Sequence, residues 1–204
     1  MSAVVGIIPA GGSGERLGAD RPKAFVVLAG QTLLDRSLAA LEPVCERVVV
    51  AVPIGYEAPP DRVTGGRTRA ASVAAALAAA PEATVAVVHD AARPLATPDL
   101  VRRCVDALDG VDCSFAAARV TDTVHEGDDD LVERSLDRSR LWAAQTPQVV
   151  RADILRRALE REATDEASLV LAAGGSVRAV EVEAPNLKIT NRDDLLVAEA
   201  LLAD

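Results

Sequence analysis

The feature that most limits the fold is the run Val4-Val5-Gly6-Ile7-Ile8-Pro9, apolar throughout, which feeds directly into Ala10-Gly11-Gly12-Ser13-Gly14-Glu15-Arg16-Leu17-Gly18. A short continuous apolar run bounded by glycines fits a strand buried on both faces. A strand emptying into a glycine loop is a common way to hold phosphate. Glycines permit positive φ and close backbone approach, so successive N–H groups can converge on an anion.

Spacing removes two familiar phosphate loops. A dinucleotide fingerprint needs G-x-G-x-x-G, but counting from Gly12 puts Leu17 at the last glycine position. A P-loop needs G-x-x-x-x-G-K-[ST], whereas Lys23 follows Pro22 and precedes Ala24. What remains is A-G-G-x-G-x-R-x-G followed by Pro22-Lys23, which brings the cations Arg16 and Lys23 just behind a loop of amides.

Composition sharpens this reading. Half the residues are hydrophobic yet only four are aromatic, so Ala, Val and Leu must fill the core, as suits parallel strands covered by helices. At 204 residues a single domain is expected. The net charge of −9 argues against nucleic-acid binding and against an anionic membrane surface, so cations gathered near one loop stand out. Only Lys23 and Lys188 are lysines among 22 basic residues, which suggests places where a compact point charge is wanted. Cys45, Cys104 and Cys113 show neither disulfide nor zinc spacing and read as buried free thiols. With no signal peptide and no charge-free stretch of membrane-spanning length, a soluble, cytoplasmic protein is expected.

Further along, the pattern predicts a helix over Gln31–Leu41, a strand at Arg47–Val52 and a loop over Ile54–Asp61. The turn Val63-Thr64-Gly65-Gly66 leads to an Ala-rich helix whose first turn carries Arg67, Arg69 and Ser72, a second candidate anion contact. The strand Thr84–Val88 closes on His89-Asp90-Ala91-Ala92-Arg93-Pro94. Open α/β sheets place their sites outside the carboxyl ends of strands, so Asp90 is positioned to meet a metal or a ribose hydroxyl, and Arg93 a phosphate. His89 reads as a structural hydrogen-bonding residue. A helix over Pro98–Leu108 and a strand over Ser114–Ala118 precede a region, Arg119–Arg140, whose short segments flank the acidic turn Glu126–Asp130 and predict a projecting hairpin. The run Asp128–Asp130 at its tip reads as solvated. Helices are expected over Ala152–Arg161 and from a cap near Thr164 through Ala173, then a strand over Ser176–Val182, an extended segment Pro185–Asn191, and a last helix from about Arg192.

Together these segments resemble the 2-C-methyl-D-erythritol 4-phosphate cytidylyltransferase family. The resemblance rests on Ala10–Arg16 with Pro22-Lys23, Gly65-Gly66 with Arg69 and Ser72, His89–Pro94 and Asp122-Thr123. It continues through Asp137-Arg138 with Leu141-Trp142, Thr146-Pro147-Gln148, Thr164–Ser168 and Asn186–Thr190, in the family's order and over nearly the whole chain. The glycine loop alone marks only the wider nucleotidyltransferase class, whereas His89–Pro94 with the later Leu141-Trp142 and Thr146-Pro147-Gln148 is far more specific. The resemblance implies an α/β, Rossmann-like three-layer nucleotidyltransferase fold, with a mixed, mostly parallel sheet and a β-arm at about 119–140 that mediates homodimerisation. It implies that Ala10, Gly11, Gly12, Gly14, Gly66, Arg69, Ser72, Asp90 and Ala91 contact CTP, with Asp90 near Mg²⁺. Arg16 and Lys23 would stabilise the transition state. Arg138 and Lys188 would position the sugar phosphate, helped by Arg93, Thr123, Thr146 and Thr164, some of them from the partner's arm. Arg67 stands where the family often has an acidic residue, which puts a ribose contact there in doubt.

The implied reaction explains which residues are missing. A phosphate monoester is already largely ionised, its second pKa being about 6, so no general base is required and the scarcity of His is no objection. Two alternatives remain at this point. One is a cytidylyltransferase for ribitol 5-phosphate, which would differ in the polyol pocket. The other is a nucleotide-binding module without catalysis, against which Arg16, Lys23, Arg138 and Lys188 together argue.

Overall fold

The computed structural model describes residues 3–12, 14, 17–18, 21–56, 62–161 and 164–203. The first half of the chain contains β1 (Val4–Pro9), β2 (Val27–Leu28), β3 (Gln31–Thr32), α1 (Leu33–Leu41), β4 (Arg47–Val52), β5 (Arg62–Thr64), α2 (Arg69–Ala78), β6 (Val85–Val88) and α3 (Pro98–Asp106). The second half adds β7 (Cys113–Arg119), β8 (Val124–Asp128), β9 (Leu131–Leu136), β10 (Trp142–Arg151), α4 (Ala152–Ala158), α5 (Glu166–Ala172), β11 (Val177–Glu181) and α6 (Arg192–Ala203).

Seven strands form the central sheet in the order β11-β7-β10-β6-β1-β4-β5. All neighbours run parallel except β10, which is antiparallel to both β6 and β7. The apolar runs become strands because each is covered on both faces. Val5, Ile7, Val49, Ala51, Ala86 and Val88 pack toward α2, α4 and α5, while Ile8, Val50, Val52 and Val87 pack toward α1 and α3. The result is the expected three-layer α/β fold with a mixed, mostly parallel sheet. Each fully buried Val, Leu or Ile contributes roughly 1.5–3 kcal/mol, so this core relies on many small side chains where other proteins use a few aromatics. The three cysteines are free and buried in it, and burial pushes the Cys45 and Cys104 thiols up to about 12.

Helix starts follow local chemistry. Thr32 caps α1 in a reciprocal box with Asp35, Thr68 caps α2, and Thr97 caps α3 with Pro98 in its first turn. Two expectations shift in detail. The turn expected at Val63-Thr64 is the end of an edge strand, β5. The cap of α5 is Asp165, which accepts from the Ser168 amide, and not Thr164. The strand β10 is not announced by the sequence, since Trp142–Pro147 carries no apolar alternation and its pairing with β7 changes register between Ala144 and Gln148.

The expected hairpin is β8 paired antiparallel with β9 from Val124↔Leu136 to Asp128↔Leu131, a sheet separate from the central one. Asp128–Asp130 are exposed at its tip, as are the apolar Leu131 and Val132. At its base Arg119 stacks over the Trp142 ring, 3.6 Å from the centroid. α6 closes over β2 through a cluster of Leu28, Leu33, Ile189 and Ala198.

Candidate nucleotide and acceptor site

The carboxyl ends of β1 and β6 meet at a cleft of about 250 Å³. Ala10, Gly11, Gly12 and Lys23 line one wall, Arg67, Thr68, Arg69 and Ser72 the other, and Asp90 with Ala91 the floor. Local structure explains the shape of the glycine wall. Gly14 has φ +80, and a Cβ there would lie 2.8 Å from the Arg21 carbonyl oxygen, so only glycine lets the loop fold back on Arg21–Lys23. The Lys23 amide then donates to the Gly12 carbonyl at 3.0 Å, which fixes Lys23 beside the loop. Arg16 lies outside the described residues.

The opposite wall is the start of α2. Ser72 is buried; its hydroxyl donates to the Thr68 carbonyl at 3.0 Å and accepts from the Gly66 amide at 3.2 Å. A Cβ on Gly66 would lie 2.3 Å from the Ala71 Cβ, so that loop is packed directly on the helix. Ser72 therefore holds the wall as well as lining it. A helix N-terminus aimed at the cleft favours an anion there.

Asp90 is the centre of the site. Its amide donates to the Thr146 hydroxyl at 3.0 Å. Its carboxylate accepts from Arg69 Nε at 2.9 Å and from Lys188 Nζ at 2.8 Å. Burial opposes the charge, but the Arg69 guanidinium and the Lys188 ammonium more than offset it and hold the carboxyl well below the usual range. Arg69 also makes a bidentate pair with Glu166 at 2.7 and 2.9 Å, and although burial alone would lower its pKa, the two carboxylates raise it. Its guanidinium is thus committed to two acidic side chains while it lines the cleft.

His89 is fully buried, and burial lowers its pKa to about 4, so it is neutral at pH 7. A carbonyl only accepts, so the contact of Nε2 with the Arg93 carbonyl at 3.2 Å places the proton on Nε2. Nδ1 then accepts from the Thr146 hydroxyl at 3.2 Å, and that hydroxyl oxygen accepts from the Asp90 amide. In this geometry the Thr146 hydroxyl holds the Asp90 amide and is itself held by His89. His89 has the structural role expected of it.

Lys188 reaches the site because its segment is stitched down at several points. Arg93 Nη1 donates to the Asn186 carbonyl at 2.7 Å, the Ile189 amide donates to the Ala92 carbonyl at 2.7 Å, and Asn186 Nδ2 donates to the Thr146 carbonyl at 2.9 Å. Nothing in the local pattern points to the contacts of Gln148. From β10, Gln148 donates to Asp165 and accepts from the Ala167 amide, pinning the start of α5 with Glu166 between them. Thr123, Arg138 and Thr164 are exposed and do not line this cleft; Arg138 donates to the Thr121 carbonyl beside the hairpin.

Among the described residues there is no group of three acidic, His or Cys side chains able to hold a metal alone. Mg²⁺ is usually held by one or two carboxylates together with substrate phosphates and water. Asp90 fits that mode, since each of its oxygens keeps a lone pair beyond its bond to Arg69 or Lys188. No helix among the described residues is long and apolar enough to cross a membrane.

Comparison with known proteins bears directly on this arrangement. The family model for IspD, 2-C-methyl-D-erythritol 4-phosphate cytidylyltransferase, matches residues 4–204. A relative of that name from Deinococcus radiodurans is 42% identical over 205 residues, spanning 96% of this chain and 88% of its own. Another from Rubrobacter xylanophilus is 40% identical over 225 residues, spanning 100% of this chain and 96% of its own. The crystal structure of the enzyme so named from Thermus thermophilus superposes with a TM-score of 0.82 at 35% identity, over 97% of this chain and 98% of that one.

Proposed function

The chain belongs to the 2-C-methyl-D-erythritol 4-phosphate cytidylyltransferase family, and from that membership we infer that it transfers CMP from CTP to 2-C-methyl-D-erythritol 4-phosphate, releasing pyrophosphate, in the non-mevalonate isoprenoid pathway. The observation that carries the reading into the structure is Asp90. It lines the cleft between the glycine wall and the start of α2 while its carboxylate holds Lys188, so the nucleotide elements and a candidate acceptor cation meet at one side chain.

The chemistry asks for alignment and charge neutralisation. The acceptor's phosphate oxygen attacks the α-phosphorus of CTP, the bond to the bridging oxygen breaks, and pyrophosphate leaves with that electron pair. Because the nucleophile is already ionised near neutral pH, no residue has to take a proton, and a neutral buried His89 is no obstacle. The amides of Gly11 and Gly12, which line the cleft, would donate to phosphate oxygens, and Lys23, with Arg16 expected beside it, would stabilise charge that builds on the leaving pyrophosphate. Asp90 and Ala91 would meet the ribose, and Lys188 the acceptor phosphate. Holding two polyanions in line is itself a large part of such catalysis. Asp90 would hold Mg²⁺, which when bound neutralises triphosphate charge.

Thr123 and Arg138 sit on and beside the hairpin, outside their own chain's cleft, and the hairpin exposes Leu131 and Val132. This supports a homodimer in which each arm packs on its partner and carries Arg138 to the partner's acceptor site. The decisive measurement is pyrophosphate release by purified protein with Mg²⁺, CTP and methylerythritol phosphate. Turnover with ribitol 5-phosphate in its place, or CTP binding without any turnover, would overturn the assignment.

A further inference from the structure

One guanidinium bridges the floor of the cleft to a carboxylate far from it in sequence. Arg69 gives Nε to Asp90 and both terminal nitrogens to Glu166, at 2.9, 2.7 and 2.9 Å. The Glu166 side chain is 1% exposed and does not line the cleft, so it cannot meet a ligand there directly. Its own position is fixed by its neighbours: Asp165 accepts from Gln148 and from the Ser168 amide, and the Ala167 amide donates to Gln148. We propose that Glu166 is a positioning residue for nucleotide binding, which through Arg69 sets the orientation of the Asp90 carboxylate.

The reasoning is one of charge and geometry. Arg69 and Lys188 face Asp90 and Glu166, two cations against two carboxylates, and of the two cations Arg69 is the one that touches both acids. While Glu166 holds both terminal nitrogens, the guanidinium is fixed in one orientation, in which Nε bonds one Asp90 oxygen. The other carboxylate oxygen stays turned to Lys188 and the cleft. Without the Glu166 charge the guanidinium loses the bidentate pair that anchors it, the stronger of its two contacts, and is free to turn on Asp90. The Asp90 carboxylate would then lose its fixed orientation.

This inference rests on the cleft being the CTP site, and the test separates the two. CTP binding is measured by calorimetry and turnover by pyrophosphate release, for wild type, Glu166→Gln, Asp90→Asn and the double variant. Glu166→Gln, which keeps volume and removes charge, is expected to raise the CTP Kd about tenfold, within the range of coupling between residues in one network. Because Asp90 also holds Lys188, the KM for the sugar phosphate is expected to rise as well, and in the Asp90→Asn background Glu166→Gln adds less than about twofold to either effect because both run through Asp90. An unchanged Kd, or effects that add in the double variant, would overturn the role. If Glu166→Gln does not fold, Glu166→Asp, which keeps the charge but shortens the reach to Arg69, must show the same loss of CTP affinity. Wild type that failed to bind CTP would sink the site assignment, whereas wild type and Glu166→Gln binding it equally well would sink only the role of Glu166.

Discussion

The buried imidazole of His89 makes a quantitative prediction about stability. Its ordinary pKa is 6.5, and in the folded chain burial lowers it to about 4. A depressed folded value means that the unfolded state binds the extra proton first. The stability His89 contributes is therefore fully present above pH 6.5 and is lost as pH falls toward 4. With those two values, acidification from pH 7 to pH 5 should cost about 2 kcal/mol from this residue alone. In a protein of this size that corresponds to a fall in Tm of roughly 4–8 °C. The window is set apart from that of Asp90, whose carboxyl is held below its usual range and whose contribution is lost only below the ordinary Asp value of 3.8. The assay is urea unfolding at several pH values between 7 and 5, for wild type and for His89→Gln, whose amide nitrogen can still donate to the Arg93 carbonyl. The variant should be less stable at pH 7, having lost the acceptor for Thr146, but its stability should vary much less with pH. A wild-type slope that persists undiminished in His89→Gln would refute the reasoning.

Other expectations follow from the cleft. Lys23→Ala should lower kcat by about 10²-fold, as the loss of a preorganised charge donor does, with the CTP Kd far less affected; near-normal turnover would remove Lys23 from the reacting centre. Lys188→Ala should mainly raise the KM for the sugar phosphate, by about tenfold or more given the strength of a charged hydrogen bond, and an unchanged KM would exclude it as the acceptor clamp. Gly66→Ala places a methyl 2.3 Å from the Ala71 Cβ and must push the loop off α2, so CTP affinity measured by calorimetry should fall at least about tenfold; wild-type affinity would show that the close approach is not needed. Replacing the exposed Leu131 and Val132 by Asp should convert a dimer to a monomer in light scattering and reduce turnover, whereas an unchanged mass would place the interface elsewhere.

How far the sequence reaches is decided by whether a residue's job is local. Val4–Pro9, Arg47–Val52 and Val85–Val88 are buried on both faces and carry their own signature, and Thr32, Thr68 and Thr97 announce the helices they cap within three residues. The glycine loop is legible for the same reason, since Gly14 is demanded by a backbone angle and by a contact with nearby Arg21. β10 is illegible because its polar residues Gln145, Thr146 and Gln148 bond groups distant in sequence, and it lies between two strands, β6 and β7, that the local pattern does not contain. Asp90 could be singled out from its place after a strand. That it would share the Arg69 guanidinium with Glu166, 97 positions beyond that arginine, and hold Lys188, 98 positions beyond itself, depends on which strand ends lie side by side. The roles of Thr146 and Arg69 show the consequence. Residue type and motif put both at a ligand, and the sheet order also brings His89 and the Asp90 amide to Thr146, and Asp90 and Glu166 to Arg69. A motif thus names the residues that gather at a site. Which of them hold one another in place depends on hydrogen-bond partners that only the assembled sheet supplies.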